Sequence, residues 1–277
     1  MQYVGFRRIG PPRLNADPMA RTLRGALSIG LSGFPFFSHD IGGFIGRPTP
    51  ELYVRWAQLG LFSSHSRCHG CGVENSREPW SFGDEANRIF TRYARLRYRL
   101  LPYIYDQARK ASVTAKPIVR ALLIDYPADR AVWHIDDQYL FGDAFLVAPV
   151  LQPMAETALR KLYLPPGTWI DYWTREVHRS RGEWIERPVD LDTMPIFVKA
   201  GSIIPYGEDR DCTHDEIGPI ARLEAYTGAD GHLDYDDGAT AFAAMLQGGK
   251  LTVRGLGPRP AVDAFGSRML RAVKFEE

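Results

Sequence analysis

The chain changes its hydrophobic period once, at Lys116-Pro117, and that change limits the architectures open to it. Upstream, apolar residues recur every three or four positions. Downstream that period vanishes, and short β-rich runs alternate with Gly, Pro and Asp clusters. Neither an all-helical nor an all-sheet fold satisfies both halves, whereas an α/β unit followed by all-β units does.

In the first half, Asp17 and Pro18 offer a cap and a first helical position, with Met19, Leu23 and Leu27 spaced four apart. Gly30–Gly33 should end that helix, and Phe34–Ser38 then reads as a short buried strand leading into His39-Asp40. Thr49-Pro50-Glu51 opens a second helix carrying Leu52, Trp56 and Leu59 on one side. Leu61–Ser64 reads as a second strand, followed by His65, Arg67 and His69. Ile89, Tyr93, Leu96, Leu100 and Ile104 mark one buried stripe along a helix from Asp84 to about Ser112, kinked by Pro102. Strand and helix alternating at these lengths predict βαβ units around a parallel sheet.

In the second half, Ile118–Ile124, Gln138–Phe141, Phe145–Val150, Arg160–Tyr163, Trp169–Tyr172, Ile196–Val198 and Ser202–Pro205 predict an antiparallel sandwich. The polar stretch Gly207–Asp215 reads as a linker. Ala221–Tyr226, His232–Tyr235, Ala241–Leu246 and Lys250–Val253 then predict a second, smaller β unit. The expected units are therefore residues 1–115, 116–206 and 207–277.

Lys plus Arg total 34 and Asp plus Glu 33, so there is no broad basic face and nucleic acid is not an expected partner. No apolar run is long enough to span a membrane, and none is expected as a partner. Three cysteines in 277 residues do not make a disulfide scaffold, and no secretory signal is evident. A reducing, cytoplasmic setting is the expectation.

In a barrel of parallel strands, chemistry gathers at the carboxyl ends of the strands. Two such ends are readable: His39-Asp40, leading into the glycine-rich turn Ile41-Gly42-Gly43-Phe44, and His65 to His69. Asp40 can equally cap its turn, and the histidines can equally satisfy backbone groups. Arg67 and His69 place a guanidinium fork near an imidazole, a pairing suited to fixing a carboxylate or donating to hydroxyls. Cys68-His69-Gly70-Cys71, with Cys212 and His214, raises a zinc reading, but it lacks a clear second knuckle. Gly30-Leu31-Ser32-Gly33-Phe34 lacks the last glycine of a nucleophile elbow, and Gly249-Lys250-Leu251 lacks the hydroxyl residue of a phosphate loop. No cofactor and no metal are expected.

The run Leu23–Gly33, followed by Ser38-His39-Asp40-Ile41-Gly42-Gly43-Phe44, resembles glycoside hydrolase family 31. Arg55–Gly60, Ser64-His65-Ser66-Arg67-Cys68-His69-Gly70, Arg99–Tyr105, Gln138–Asp143, Leu146–Val150, Tyr163–Trp169 and Gly201–Pro205 continue the likeness in the family's order. The Ser-His-Asp-Ile-Gly-Gly-Phe and Ser-His-Ser-Arg wording is most similar to the bacterial α-xylosidase branch. The resemblance implies a retaining α-glycosidase acting on O-glycosidic bonds of α-xylosides or α-glucosides, with an α-linked oligosaccharide or glycoside as partner. It also implies the fold class: the C-terminal part of a (β/α)8 TIM barrel over 1–115, then proximal (116–206) and distal (207–277) antiparallel β-sandwich domains. The N-terminal domain and most of the barrel are then absent from this chain.

By the same resemblance, His69 matches the histidine that bonds the sugar nearest the scissile bond, and Asp40 and Arg67 match groups on the same rim. The family nucleophile, an Asp in a Lys-x-Asp-Phe-Gly-Glu-like motif, has no counterpart here. The acid/base Asp should fall near Arg8-Ile9-Gly10-Pro11, where Pro11 stands. No catalytic residue is therefore assigned, and the chain alone is expected to be inactive, with exposed strand edges that favour poor solubility or self-association. An alternative is a non-catalytic carbohydrate-binding or structural β-module, with Trp169, Tyr172, Trp173 and Trp184 as a stacking platform.

Overall fold

The computed structural model describes residues 17–72, 76–212 and 219–276. The position of Pro11 lies outside them, as does His214.

Helix α1 (Asp17–Leu31) buries Met19, Leu23 and Leu27, the spacing read from the sequence, and runs one residue past Gly30. Helix α2 (Pro50–Leu61) starts where Thr49 accepts from the Leu52 N–H at 3.3 Å, with proline at the first position and Glu51 in the first turn. The predicted long helix is two: α3 (Asp84–Arg99) and α4 (Leu101–Thr114), joined at Leu100. Pro102 sits in the first turn of α4, where its missing N–H costs nothing. The break frees the Arg99 carbonyl, which accepts from the Gly207 N–H at 2.8 Å.

The parallel strands are shorter than expected and lie further along the chain. Strand β1 is Asp40–Ile41 and β2 is Arg67–Cys68, paired in parallel with Asp40 opposite Arg67. Phe34–Ser38 runs without a ladder, and Leu61–Ser64 forms the end of α2 and the bend after it. Side chains do the joining in these stretches: Ser64 Oγ donates to the Phe37 carbonyl at 2.6 Å and accepts from the Phe37 N–H at 2.9 Å. With α2 between β1 and β2, the unit is one βαβ crossover.

Six strands form the next sheet, in the order β3 (Val119–Arg120), β4 (Tyr139–Phe141), β5 (Phe145–Val147), β10 (Ile196–Lys199), β7 (Gly167–Asp171), β8 (Val177–Ser180). The predicted strand 118–124 stops at Arg120 because a short helix, α5 (Leu122–Asp125), takes over. Strands β6 (Leu159–Leu164) and β9 (Glu183–Pro188) pair separately. Alternation along the six-stranded sheet explains its nearly continuous apolar strands. Tyr139, Phe141, Phe145, Val147, Ile196 and Val198 pack with the helices of the first half. Leu140, Leu146, Phe197 and Trp169 face the opposite way, against Leu162 and Leu164 of β6. Both faces are buried.

Strand β11 (Ile203–Tyr206) leaves this sheet for another, pairing with β12 (Arg222–Thr227), which in turn pairs with β16 (Ala261–Gly266). A four-stranded sheet, β13 (Gly231–Asp236), β14 (Ala241–Gln247), β15 (Lys250–Arg254) and β17 (Ala272–Glu276), packs over it through Leu233, Phe242, Leu246 and Val253 against Ile203, Leu223 and Ala225. Pairing is antiparallel except for β12 with β16 and β15 with β17, because the chain crosses between the sheets after β15 and again after β16. The architecture is a partial TIM barrel followed by β-sandwich units. Among the described residues, no helix is long and apolar enough to cross a membrane.

Candidate functional site

The two parallel strands end side by side, so their first residues face each other. Asp40 Oδ1 accepts from Arg67 Nε at 2.6 Å, with the Asp40 side chain 12% exposed and that of Arg67 58% exposed. The carboxylate is seated in the protein while most of the fork remains open to solvent. Both side chains belong to the face of the strand pair turned away from α2. Phe36 meets His65 edge-on with ring centroids 5.7 Å apart.

On the other face, His39 and Ile41 press on α2. A Cβ placed on Gly60 would lie 2.6 Å from the Ile41 side chain and 3.2 Å from the His39 ring, so only glycine lets strand and helix meet. His39 Nδ1 accepts from Trp56 Nε1 at 3.1 Å, and burial lowers its pKa to about 4, keeping the imidazole neutral. The residue carrying Asp40 is thus anchored from behind by an uncharged ring.

The turn after Asp40 depends on two glycines. Gly42 and Gly43 have φ of 82° and 76°, and their missing side chains leave room for Arg77 and Trp56 respectively. Arg77 donates to the Gly43 carbonyl at 2.8 and 3.0 Å and to that of Gly46. Before the other strand, half-buried Arg97 of α3 donates to the carbonyls of Leu61, Ser63 and Ser64 at 2.9, 2.7 and 3.0 Å. One guanidinium therefore collects the carbonyls left over where α2 stops, and fixes the segment that leads to Arg67.

His69 is exposed and packs on Phe44, ring centroids 5.5 Å apart, while the Cys71 N–H donates to the Phe44 carbonyl at 2.7 Å. The three residues singled out from the sequence thus lie on two neighbouring strand ends: Asp40 and Arg67 in direct contact, and His69 on the loop beyond. His39, Trp56 and Arg97, which position them, were not singled out as site residues. The one available signal was the adjacency of His39 to Asp40; the role of Arg97 depends on a contact across more than thirty residues.

One member of the cysteine and histidine set read from the sequence, His214, lies outside the described residues. Cys68, Cys71 and Cys212 are free thiols, and among the described residues no group of three or more His, Cys, Asp or Glu is placed to hold an ion. Cys68 Sγ lies 3.5 Å from Tyr53 Oη, and desolvation there pushes its thiol up. Nor do the four aromatics form a platform. Trp169 and Tyr172 are buried in the sheet and Trp173 is half-buried with its N–H on the Met194 carbonyl, leaving Trp184 as the exposed member.

Comparison with known proteins places this arrangement. Residues 13–107 match the glycosyl hydrolases family 31 TIM-barrel domain, and residues 115–204 match the family 31 C-terminal domain. Alpha-glucosidase 2 of Bacillus thermoamyloliquefaciens is 38% identical over 220 residues, which is 78% of this chain and 27% of that protein. Alpha-xylosidase XylQ of Lactiplantibacillus pentosus is 41% identical over 214 residues, 75% of this chain and 27% of its own length. The crystal structure of a family 31 α-xylosidase from Xanthomonas citri superposes with a TM-score of 0.75 at 32% identity, covering 90% of this chain and 29% of that one. The chain spans about a quarter of the length of the curated relatives it matches.

Proposed function

The chain belongs to glycoside hydrolase family 31, and from that premise we propose that it carries the sugar-binding rim of a retaining α-glycosidase acting on α-xylosides or α-glucosides. The observation that carries the reading is the Asp40–Arg67 contact at paired strand ends, with His69 on the next loop. Arg67 holds the Asp40 carboxylate at a fixed angle and keeps donors free for sugar hydroxyls. His69, seated on Phe44, offers one more ring nitrogen to the same ligand. Phe36, edge-on to His65, adds an apolar ring beside them.

Retaining hydrolysis needs a second element: two carboxyl groups about 5–5.5 Å apart, one attacking the anomeric carbon and the other protonating the leaving oxygen. The side chain bonded to Asp40 is a guanidinium, so this pair provides no such dyad. We therefore expect the rim of Asp40, Arg67 and His69 to bind a monosaccharide weakly and not to turn it over. The names of the relatives supply both candidate sugars, and the rim suits either, because every group on it addresses hydroxyls common to the two.

The test is an aryl α-xyloside and α-glucoside assay run beside NMR titration with xylose and glucose. Expected are no turnover above the uncatalysed rate and shifts confined to residues around Asp40, Arg67 and His69, lost in Arg67→Ala. Turnover abolished by Asp40→Asn, or sugar-induced shifts that survive Arg67→Ala, overturns the reading.

A further inference from the structure

On the opposite side of α2 from the Asp40–Arg67 pair, Arg55 presents a separate anomaly. The residue is 3% exposed, and its Nη1 reaches Gln58 Oε1 and the Thr193 carbonyl only at 3.4 Å each. Its Nε and Nη2 are buried and have no hydrogen-bond partner among the described residues. A buried guanidinium with an unfilled edge is costly, since each unmade bond leaves the full desolvation penalty standing. Burial accordingly pulls its pKa down, opposed by the charges of Glu51, Tyr93 and Asp190.

Arg55 lines a half-open pocket, with an inner space of about 20 Å³, between Met19 of α1, Thr49 and Leu52 at the start of α2, and the segment from Val150 to Pro153. With Nη1 turned to Gln58 and Thr193, the Nε/Nη2 edge is what the guanidinium has left for this space. The space also lies at the N-terminal end of a twelve-residue helix, where the helix dipole favours negative charge; Pro50 has no N–H, and those of Leu52 and Tyr53 are taken by Thr49. Glu51 lines it too, but its carboxylate is committed to the Met154 N–H at 2.7 Å. The volume admits one particle of about the size of a water molecule. A phosphate or sulfate is too large to enter that space whole.

We propose that the Nε/Nη2 edge of Arg55 and the first turn of α2 bind a single monatomic anion, chloride, which ties α1, α2 and the 150–153 segment together. The two donors of that edge can serve one acceptor, and the surface exposed to the pocket is mainly apolar, which suits a weakly hydrated ion. The site does not touch the sugar rim, and the proposal stands apart from the function proposed above.

The experiment is thermal melting of the full chain with chloride exchanged for gluconate at constant ionic strength. Chloride is expected to raise Tm by about 2–4 °C in a saturable way, bromide to substitute for it, and phosphate to do nothing specific. Arg55→Met should abolish the halide dependence. Val150→Ile, which keeps the guanidinium but fills the cavity, should do the same if Arg55→Met does not fold. Crystals grown in bromide should give an anomalous peak within hydrogen-bonding distance of Arg55 Nε and Nη2. Melting that ignores halide, a water at that position in bromide crystals, or a halide effect that survives Val150→Ile overturns the proposal.

Discussion

The two faces of the β1–β2 pair and the two faces of the six-stranded sheet obey different rules. In the sheet, alternate residues of β5 and β10 go into two separate cores, and Phe145, Leu146, Phe197 and Val198 are all fully buried. Around the strand pair, the side chains of β1 and its flank that meet α2 are closed in. His39 and Ile41 are buried, whereas Phe34 and Phe36 in the stretch before β1 are 57% and 38% exposed. A sheet closed on both faces is a foundation; a strand pair closed on one face is a surface prepared for something else. Asp40, Arg67 and His69 all lie on the open one.

Replacing side chains on the two regions should therefore give effects of very different size. Phe197→Ala opens a void between two packed layers and should cost about 3–5 kcal/mol in denaturant unfolding; a loss under 1 kcal/mol would break the contrast. The next effect is titration of the buried imidazole behind Asp40. His39 falls from 6.5 to about 4 on folding. Its contribution is complete above pH 6.5 and is lost as pH drops toward 4, because the unfolded chain binds the proton more tightly in that window. The slope should amount to about 3 kcal/mol across it and disappear in His39→Asn, which keeps an acceptor for Trp56.

Arg67→Ala on the open face should change stability by no more than about 1 kcal/mol, since the pair is largely solvated on the arginine side. It should nonetheless erase the sugar response. The smallest stability change, within about 0.5 kcal/mol, is expected for Phe34→Ser with Phe36→Ser. There the readout is sedimentation: the parent chain should self-associate through its open apolar face, and the double variant should do so less. A monodisperse parent would remove the distinction between the faces.

This contrast also decides what could be read in the amino-acid order. Stripes such as Ile89, Tyr93 and Leu96, the Thr49-Pro50-Glu51 start, and the apolar runs of β4, β5 and β10 are local signals, and each became the expected element. Strands β8 and β9 were missed because Val177-His-Arg-Ser and Glu183-Trp-Ile-Glu-Arg-Pro are polar edge strands without an apolar run. Phe34–Ser38 has strand composition, but composition does not supply a ladder partner. Asp40, Arg67 and His69 were legible through family wording. The Arg97 clamp and the unfilled edge of Arg55 were not, because both arise only when distant carbonyls and helices are brought together.

The elbow at Leu100 has a mechanical corollary. The carbonyl it releases from Arg99 takes the N–H of Gly207, where the polypeptide passes from one β unit to the next, and a Cβ at that glycine would touch Pro102. The crossing point is thus pinned to the helical half, not left to swivel. Torque applied to the last sandwich is delivered straight into α3, whose far end carries the side chains packed on α2, so the molecule should twist as one lever instead of as beads on a string.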